Sequence, residues 1–160
     1  MKRAKIFALI LAAAMLLTLC ACGTESKDNQ TPAASPTEAL EEDYEVTDLL
    51  GRTVTIPAET SSYACIGPGA LRLYCYVADR TQLAGVEDVE QTWGDDGRPY
   101  TMSISNVNEL PVIGPGGPGN APDAEMLFTA DPDVIFTCYN TDTASVDELQ
   151  TKTSIPVVAI

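Results

Sequence analysis

The chain has 160 residues, with 9 lysines and arginines, 23 aspartates and glutamates, no histidine and a net charge of −14. So acidic a balance disfavours nucleic acid and anionic membrane surfaces as direct partners. The missing histidine removes the commonest transition-metal ligand and the usual general base.

Three positive charges lie within Met1–Lys5, and Ile6 to Leu19 is a run of fourteen residues, apolar apart from Thr18. A bilayer-spanning helix needs roughly 20 residues. A basic start, a short apolar core and small residues after it describe a secretory signal. The run ends in Leu19-Cys20-Ala21-Cys22-Gly23, which resembles a bacterial lipobox. In that motif a small residue precedes the cysteine that is lipidated and becomes the new N-terminus. Cys22 fits because Ala21 is small; Cys20 follows the bulky Leu19. The alternative is an ordinary signal peptide whose cysteines are incidental. Residues 1–22 are therefore read as a lipoprotein signal peptide. Residues 23–43, "GTESKDNQTPAASPTEALEED", hold almost no large apolar side chains. They cannot bury enough surface to offset their ordering entropy and read as a disordered tether. One cysteine carrying two or three acyl chains would anchor stably, so membrane contact is expected through the lipid alone. Removing the leader leaves six positive charges against 23 negative, or −17.

The folded part, residues 44–160, is long enough for one modest core. In "YEVTDLLGRTVTIP", Val54 and Ile56 alternate with Thr53 and Thr55, as in a half-buried strand. The stretch predicts a hairpin of Glu45–Thr47 against Thr53–Ile56, turned at Asp48 to Arg52 with Gly51 at positive φ. "SYACIG" is a short apolar strand. "ALRLYCYVAD" is apolar almost all round and predicts a buried helix packed on a sheet. "QLAGVE" and Pro111 to Ile113 read as further short strands. "APDAEMLFTAD" is a helix with Asn120 as N-cap and Pro122 in its first turn, Met126 and Leu127 facing inward. "PDVIFTC" is a strand, "TASVDELQTKT" a helix presenting Val146 and Leu149, and "IPVVAI" a last strand. Cys65, Cys75 and Cys138 form no C-x-x-C pair. A Cys65–Cys138 bridge is open to an exported protein, but their apolar contexts favour buried free thiols.

Strand and helix alternate, and the strands are continuous apolar runs. Both features predict an α/β fold: a parallel sheet with helices on both faces, preceded by the small β-hairpin. Ligands of such sheets bind beyond the carboxyl ends of the strands. The segments that land there are Gly67-Pro68-Gly69, the stretch from Asp88 to Tyr100, Gly114 to Asn120, and Tyr139 to Thr143. Gly114, Gly116 and Gly119 spell G-x-G-x-x-G. A dinucleotide site needs free amides there, yet Pro115 and Pro118 remove donors and Pro122 removes another. No Walker-type lysine follows. The loop reads as a rigid structural turn or as the stiff rim of a binding cleft.

The order "DLLGRTVTIP", "ACIGPGALRL", "LAGVE", "LPVIGPGG", "DAEMLFTADPDVIF" and "DELQTKTSIPVVAI" resembles the N-terminal lobe of bacterial periplasmic-type binding proteins for iron–siderophore complexes, haem and cobalamin, which serve ABC importers. The resemblance runs from about Glu45 to Ile160. Its most specific parts are the hairpin and the E-x-L-x-x-x-x-P-D-V-I block, with Glu125, Pro132 and Asp133 in place. It implies two α/β lobes joined by a long helix, with the ligand between them. This chain stops before any linking helix or second lobe, so a truncated copy is expected. It also implies that Glu125 docks on an arginine of the permease and that permease and ATPase subunits are partners. Without the resemblance Glu125 is a solvated helix-face carboxylate that favours the helix dipole.

Trp93, Arg98 and Tyr100 lie in "QTWGDDGRPY". The aromatic faces could stack on a porphyrin, corrin or catecholate, and Arg98 could pair with a chelate's oxygens. Equally, Trp93 and Tyr100 could anchor the loop on the core. Tyr139 and Asn140 face the same rim or simply begin a turn. Gly67, Pro68 and Gly69 precede a helix whose amides could meet an anion, although the strand-to-helix turn is role enough. The candidate ligand-binding set is therefore Gly67, Pro68, Gly69, Trp93, Arg98, Tyr100, Gly114, Pro115, Gly116, Tyr139 and Asn140. No catalytic residue, metal ligand or cofactor is assigned; Asp95-Asp96 reads as a solvated turn. A bare zinc or manganese ion would call for histidines, so a metal already wrapped in a chelator is expected. The expected function is a lipid-anchored receptor of an importer for a chelated metal, not an enzyme. Two alternatives stay open: an exported α/β enzyme using the Gly114–Gly119 loop for a phosphate-bearing cofactor, and a non-binding truncated remnant.

Overall fold

The structure is a computed structural model that describes residues 42–139 and 142–160. The signal peptide, Cys22, nearly all of the tether and Asn140 lie outside the described residues.

β1 (Tyr44–Thr47) and β2 (Thr53–Ile56) form the expected antiparallel hairpin, Tyr44 opposite Ile56. Gly51 makes the turn at φ 75. Asp48 organises it. Its side chain is fully buried and accepts the N–H groups of Leu50 at 3.0 Å and Arg52 at 2.9 Å, together with the Arg52 Nε at 2.9 Å. The same carboxylate receives the Ala159 N–H at 3.3 Å, and Arg52 also donates to the Val157 carbonyl. One ion pair thus ties the hairpin to the sheet's last strand. Burial alone would raise the Asp48 pKa, but the bonds from Arg52 and Ala159 outweigh it and hold the carboxyl below its ordinary value.

The main sheet is parallel, in the order β3 (Tyr63–Ile66), β4 (Val134–Thr137), β5 (Val157–Ala159). Two more extended segments continue it past β3: Leu83 bridges Tyr63, and Val86 bridges Val112. "QLAGVE" and Pro111 to Ile113 therefore do lie in the sheet, joined to β3 and to each other by one bridge apiece. Asp133 fixes the start of β4 beside that of β3, accepting the N–H groups of Ser61 and Ser62 at 2.8 Å each.

Alternation sorts the strand side chains onto two faces. Ala64, Ile66, Ile135 and Val157 pack with Leu127 of α3 (Ala124–Ala130) and with Val146 and Leu149 of α4 (Thr143–Thr153). Cys65 packs with Ala70, Leu71, Tyr74 and Cys75 of α1 (Ala70–Val77) on the other face. The hairpin's Val54 and Ile56 cover Val134 and Val158. Helices on both faces of a parallel sheet match the expected fold class.

Three local expectations are corrected. Helix α1 is not buried all round: Leu73, Tyr76 and Val77 are exposed, because only one side of the helix meets the sheet. Met126 is exposed while its neighbour Leu127 is fully buried. Helix α3 begins at Ala124 with Asp123 as N-cap, which accepts the N–H groups of Glu125 and Met126. Asn120 is not the cap; its side-chain amide donates to the Gly116 carbonyl. The cysteines Cys65, Cys75 and Cys138 are unpaired, and burial raises all three thiols.

Candidate functional site

The carboxyl ends of the strands converge. After β3 the chain turns through Gly67 and Gly69, at φ 89 and 91, into α1. Gly67 sits so close to the end of β4 that a Cβ there would lie 3.0 Å from the Tyr139 nitrogen. Only glycine fits both the dihedral and the approach.

After Val86 comes Glu87, which precedes the short helix α2 (Asp88–Thr92). Its side chain does not cap that helix. Instead it turns under the Gly67 loop and receives the Gly67 N–H at 3.1 Å to each oxygen. It also lies beside the Tyr139 hydroxyl. Glu87 is only 5% exposed. Burial raises its pKa, the Gly67 N–H and the Tyr139 hydroxyl lower it, and Glu90 raises it; the net shift is upward. Tyr139 is pushed up to about 12, by burial and then by the neighbouring Glu87.

The glycine loop closes on the same carboxylate. The Gly114 carbonyl accepts the Asp88 N–H at 2.9 Å. Gly116, at φ 66, lies so near that a Cβ there would be 2.7 Å from the Glu87 Cβ and from Val89. Gly117 rests against the Trp93 ring, and its carbonyl accepts the Tyr139 hydroxyl at 3.3 Å. The glycines thus serve close packing. With Asp123 as the cap of α3, a carboxylate stands where a phosphate would need free amides.

Between these turns lies an open cleft of about 550 Å³, lined by Pro68, Pro118, Gly119, Asn120, Cys138 and Tyr139 among others. Trp93 stands 60% exposed beside the glycine loop. Pro115 is exposed, whereas Gly114 and Gly116 are buried beneath it. Arg98 and Tyr100 are drawn inward. The Arg98 guanidinium pairs with Glu90 at 2.7 Å and donates to the Gly94 carbonyl at 2.6 Å. The Tyr100 hydroxyl donates to Glu90 at 3.0 Å. Burial raises Glu90, while Tyr100 and Arg98 pull it back. Both side chains therefore brace the 93–100 loop from inside, with the guanidinium 6.0 Å from the Trp93 ring centre.

Glu125 stands apart, exposed in the first turn of α3. It lines shallow depressions with Phe128 and Lys152 on one side and Pro111 and Met126 on the other. A second cavity, about 360 Å³ and almost wholly apolar, lies along α1 between Tyr63, Leu73, Val77, Phe136 and Ile160. Its lining is mostly apolar, with Asp79 and Gln82 among it, and it lies away from the strands' carboxyl ends, where ligands of such sheets bind. Sequence reasoning missed Glu87, Glu90 and Gly117. The one available signal for Glu87 was a carboxylate closing the apolar run "LAGVE".

No protein-family model and no curated protein matches the sequence. Solved structures do match the fold. A periplasmic solute-binding protein from Veillonella parvula aligns at TM-score 0.60 and 15% identity, covering 74% of this chain and 35% of that one. The Haemophilus influenzae molybdate periplasmic binding protein MolA aligns at 0.57 and 26%, covering 74% and 34%. The heme-binding protein HmuT aligns at 0.52 and 13%, covering 86% and 40%. The chain thus spans between 34% and 40% of these neighbours' lengths. Sheet order, hairpin and helix placement together give this chain the fold of one lobe of the periplasmic solute-binding proteins of ABC transporters.

Proposed function

We propose that the chain is the solute-capturing component of an ABC importer for a chelated metal: an iron–siderophore complex, haem or cobalamin. It is exported and held on the outer face of the membrane by lipid at Cys22. The observation that carries this reading is the convergence of Pro68, the 114–120 loop and Tyr139 on one cleft, with Trp93 exposed beside the loop. The prolines stiffen the rim and the glycines leave its backbone open, so a bulky flat solute can approach at small ordering cost, and the aromatic faces suit stacking. The ligands of the neighbours, molybdate for MolA and heme for HmuT, are in keeping with a captured solute. Glu125, exposed and clear of the cleft, is the carboxylate assigned to the permease. No chemistry is assigned to the protein.

The test uses the chain's single tryptophan, Trp93. Haemin, cyanocobalamin and a ferric catecholate are titrated in turn, and ATP and NAD serve as comparators. Saturable quenching by at least one chelate and none by the nucleotides is expected. Saturable quenching by a nucleotide alone would instead favour an enzyme with a phosphate-bearing cofactor.

A further inference from the structure

The ladder between β3 and the Leu83–Val86 segment is one bridge, Tyr63 to Leu83, at the amino end of β3. Farther along, the segments diverge in hydrogen bonding: Val86 pairs with Pro111 and Ile113 on its other side. At the carboxyl edge the join is made by a side chain. Glu87 receives the Gly67 N–H, lies beside the Tyr139 hydroxyl, and fills the space that a Cβ on Gly116 would need. These three groups belong to three turns that follow three different strands. All three turns border the cleft.

We infer that Glu87 is the positioning residue of the solute cleft: one buried carboxylate fixes the Gly67 turn, the Tyr139 ring and the glycine loop relative to one another. This inference rests on the reading of that cleft as the solute-binding wall. A carboxylate so deeply buried, with no cation against it among the described residues, is costly to keep, and hydrogen bonds alone offset part of that cost. The titratable groups facing it are Glu90, Tyr139, Cys65 and Cys138, and none carries a positive charge. Were its role only to satisfy the Gly67 N–H, a neutral acceptor would serve as well. The carboxyl group instead meets the turn, the ring and the glycine loop at once, so the cleft's geometry follows the protonation of this one group.

The sign of the pH effect follows. The folded-state pKa of Glu87 lies above its ordinary 4.5. Its protonated form is therefore favoured by folding, and that contribution is lost as pH rises through the folded value. As pH rises through that folded value, above 4.5, the carboxylate ionises and the three turns loosen.

The experiment follows Trp93 emission of the full chain, without ligand, from about pH 4 to pH 8. The wild type is expected to show a transition with its midpoint above 4.5, because Trp93 rests on Gly117 of the loop that Glu87 holds. Glu87→Gln, which keeps the shape and one acceptor, should fold normally and lose that transition. Glu90→Gln should retain it. Haemin binding should follow pH through the same midpoint in the wild type and be independent of pH in Glu87→Gln. A transition that persists in Glu87→Gln, or that vanishes in Glu90→Gln, overturns the inference. Failure of the wild type to bind haemin, cyanocobalamin or a ferric catecholate would bear on the proposed function instead, since the emission transition is read without ligand.

Discussion

Replacing Asp48 by alanine is expected to destabilise the fold by about 3–5 kcal/mol, the usual range when one partner of a buried ion pair is removed. The change strips four donors of their acceptor: the N–H groups of Leu50, Arg52 and Ala159 and the Arg52 Nε. It also leaves the half of Arg52 that faces the sheet without its counter-charge. The guanidinium retains Asp147 at 2.7 Å, but that carboxylate is 58% exposed and screened by water. The hairpin therefore loses its tether to β5, and its Val54 and Ile56 lose their fixed seat on Val134 and Val158. Asp48→Asn keeps the shape and should fall between wild type and Asp48→Ala. The acid dependence has a definite sign. Because the folded pKa lies below the ordinary 3.8, the carboxylate's contribution is complete above that pH and disappears as pH falls through the folded value. The difference in urea midpoint between wild type and Asp48→Asn should be largest at about pH 7 and should shrink as pH is lowered below 3.8 toward the folded value. Equal midpoints at every pH would contradict the role given to this residue.

The second large effect is at Gly116. Gly116→Ala is expected to cost about 3 kcal/mol. Roughly 1–2 kcal/mol comes from placing a side chain at positive φ, and about 1–3 kcal/mol from forcing the new methyl against Glu87 and Val89, each 2.7 Å away. Gly119→Ala separates the two contributions. Its φ is 82, yet nothing lies within 4 Å of the added Cβ. It should show the dihedral cost alone, about 1 kcal/mol. Trp93 emission should shift in Gly116→Ala, because the loop must rise off α2, and stay put in Gly119→Ala. Equal stability losses in the two variants would remove the close approach from the account.

How far the sequence carried depends on which physical rule governed each element. The hairpin was legible because Thr53 to Ile56 alternates and Gly51 supplies the turn. The parallel sheet was legible because its strands are apolar without alternation, which requires cover on both faces. Leu83–Val86 and Pro111 to Ile113 read correctly as extended, although only one bridge joins the first to β3 and one joins the two to each other. Helix faces were less legible. α1 is apolar on the side that meets the sheet and also on the side that does not, so periodicity gave no way to expose Leu73, Tyr76 and Val77. The N-cap of α3 went to Asp123 over Asn120 because both are good caps, and the packing of the loop, with Asn120 bonded to Gly116, decided between them.

The site was legible as a set of turns and not as a set of contacts. Topology alone brings Gly67, Gly114 and Tyr139 to one edge. Nothing local says that Arg98 and Tyr100 turn inward onto Glu90, or that Glu87 reaches the Gly67 amide twenty positions away. Those choices are made by burial: each carboxylate in this acidic chain that leaves water needs donors, and the nearest ones come from distant segments. Arg98, the natural candidate for pairing with a solute's oxygens, is thereby already engaged within its own loop.

The central claim is that solute meets this chain at the carboxyl edge of the sheet. Backbone amide NMR of the full chain titrated with zinc protoporphyrin, a diamagnetic stand-in for haem, tests it most directly. Perturbed amides should cluster at Gly67, Gly69, Gly117, Gly119 and Tyr139, with the Trp93 indole N–H among them. Perturbations centred on Leu73, Val77 and Ile160, along the apolar cavity beside α1, would contradict it.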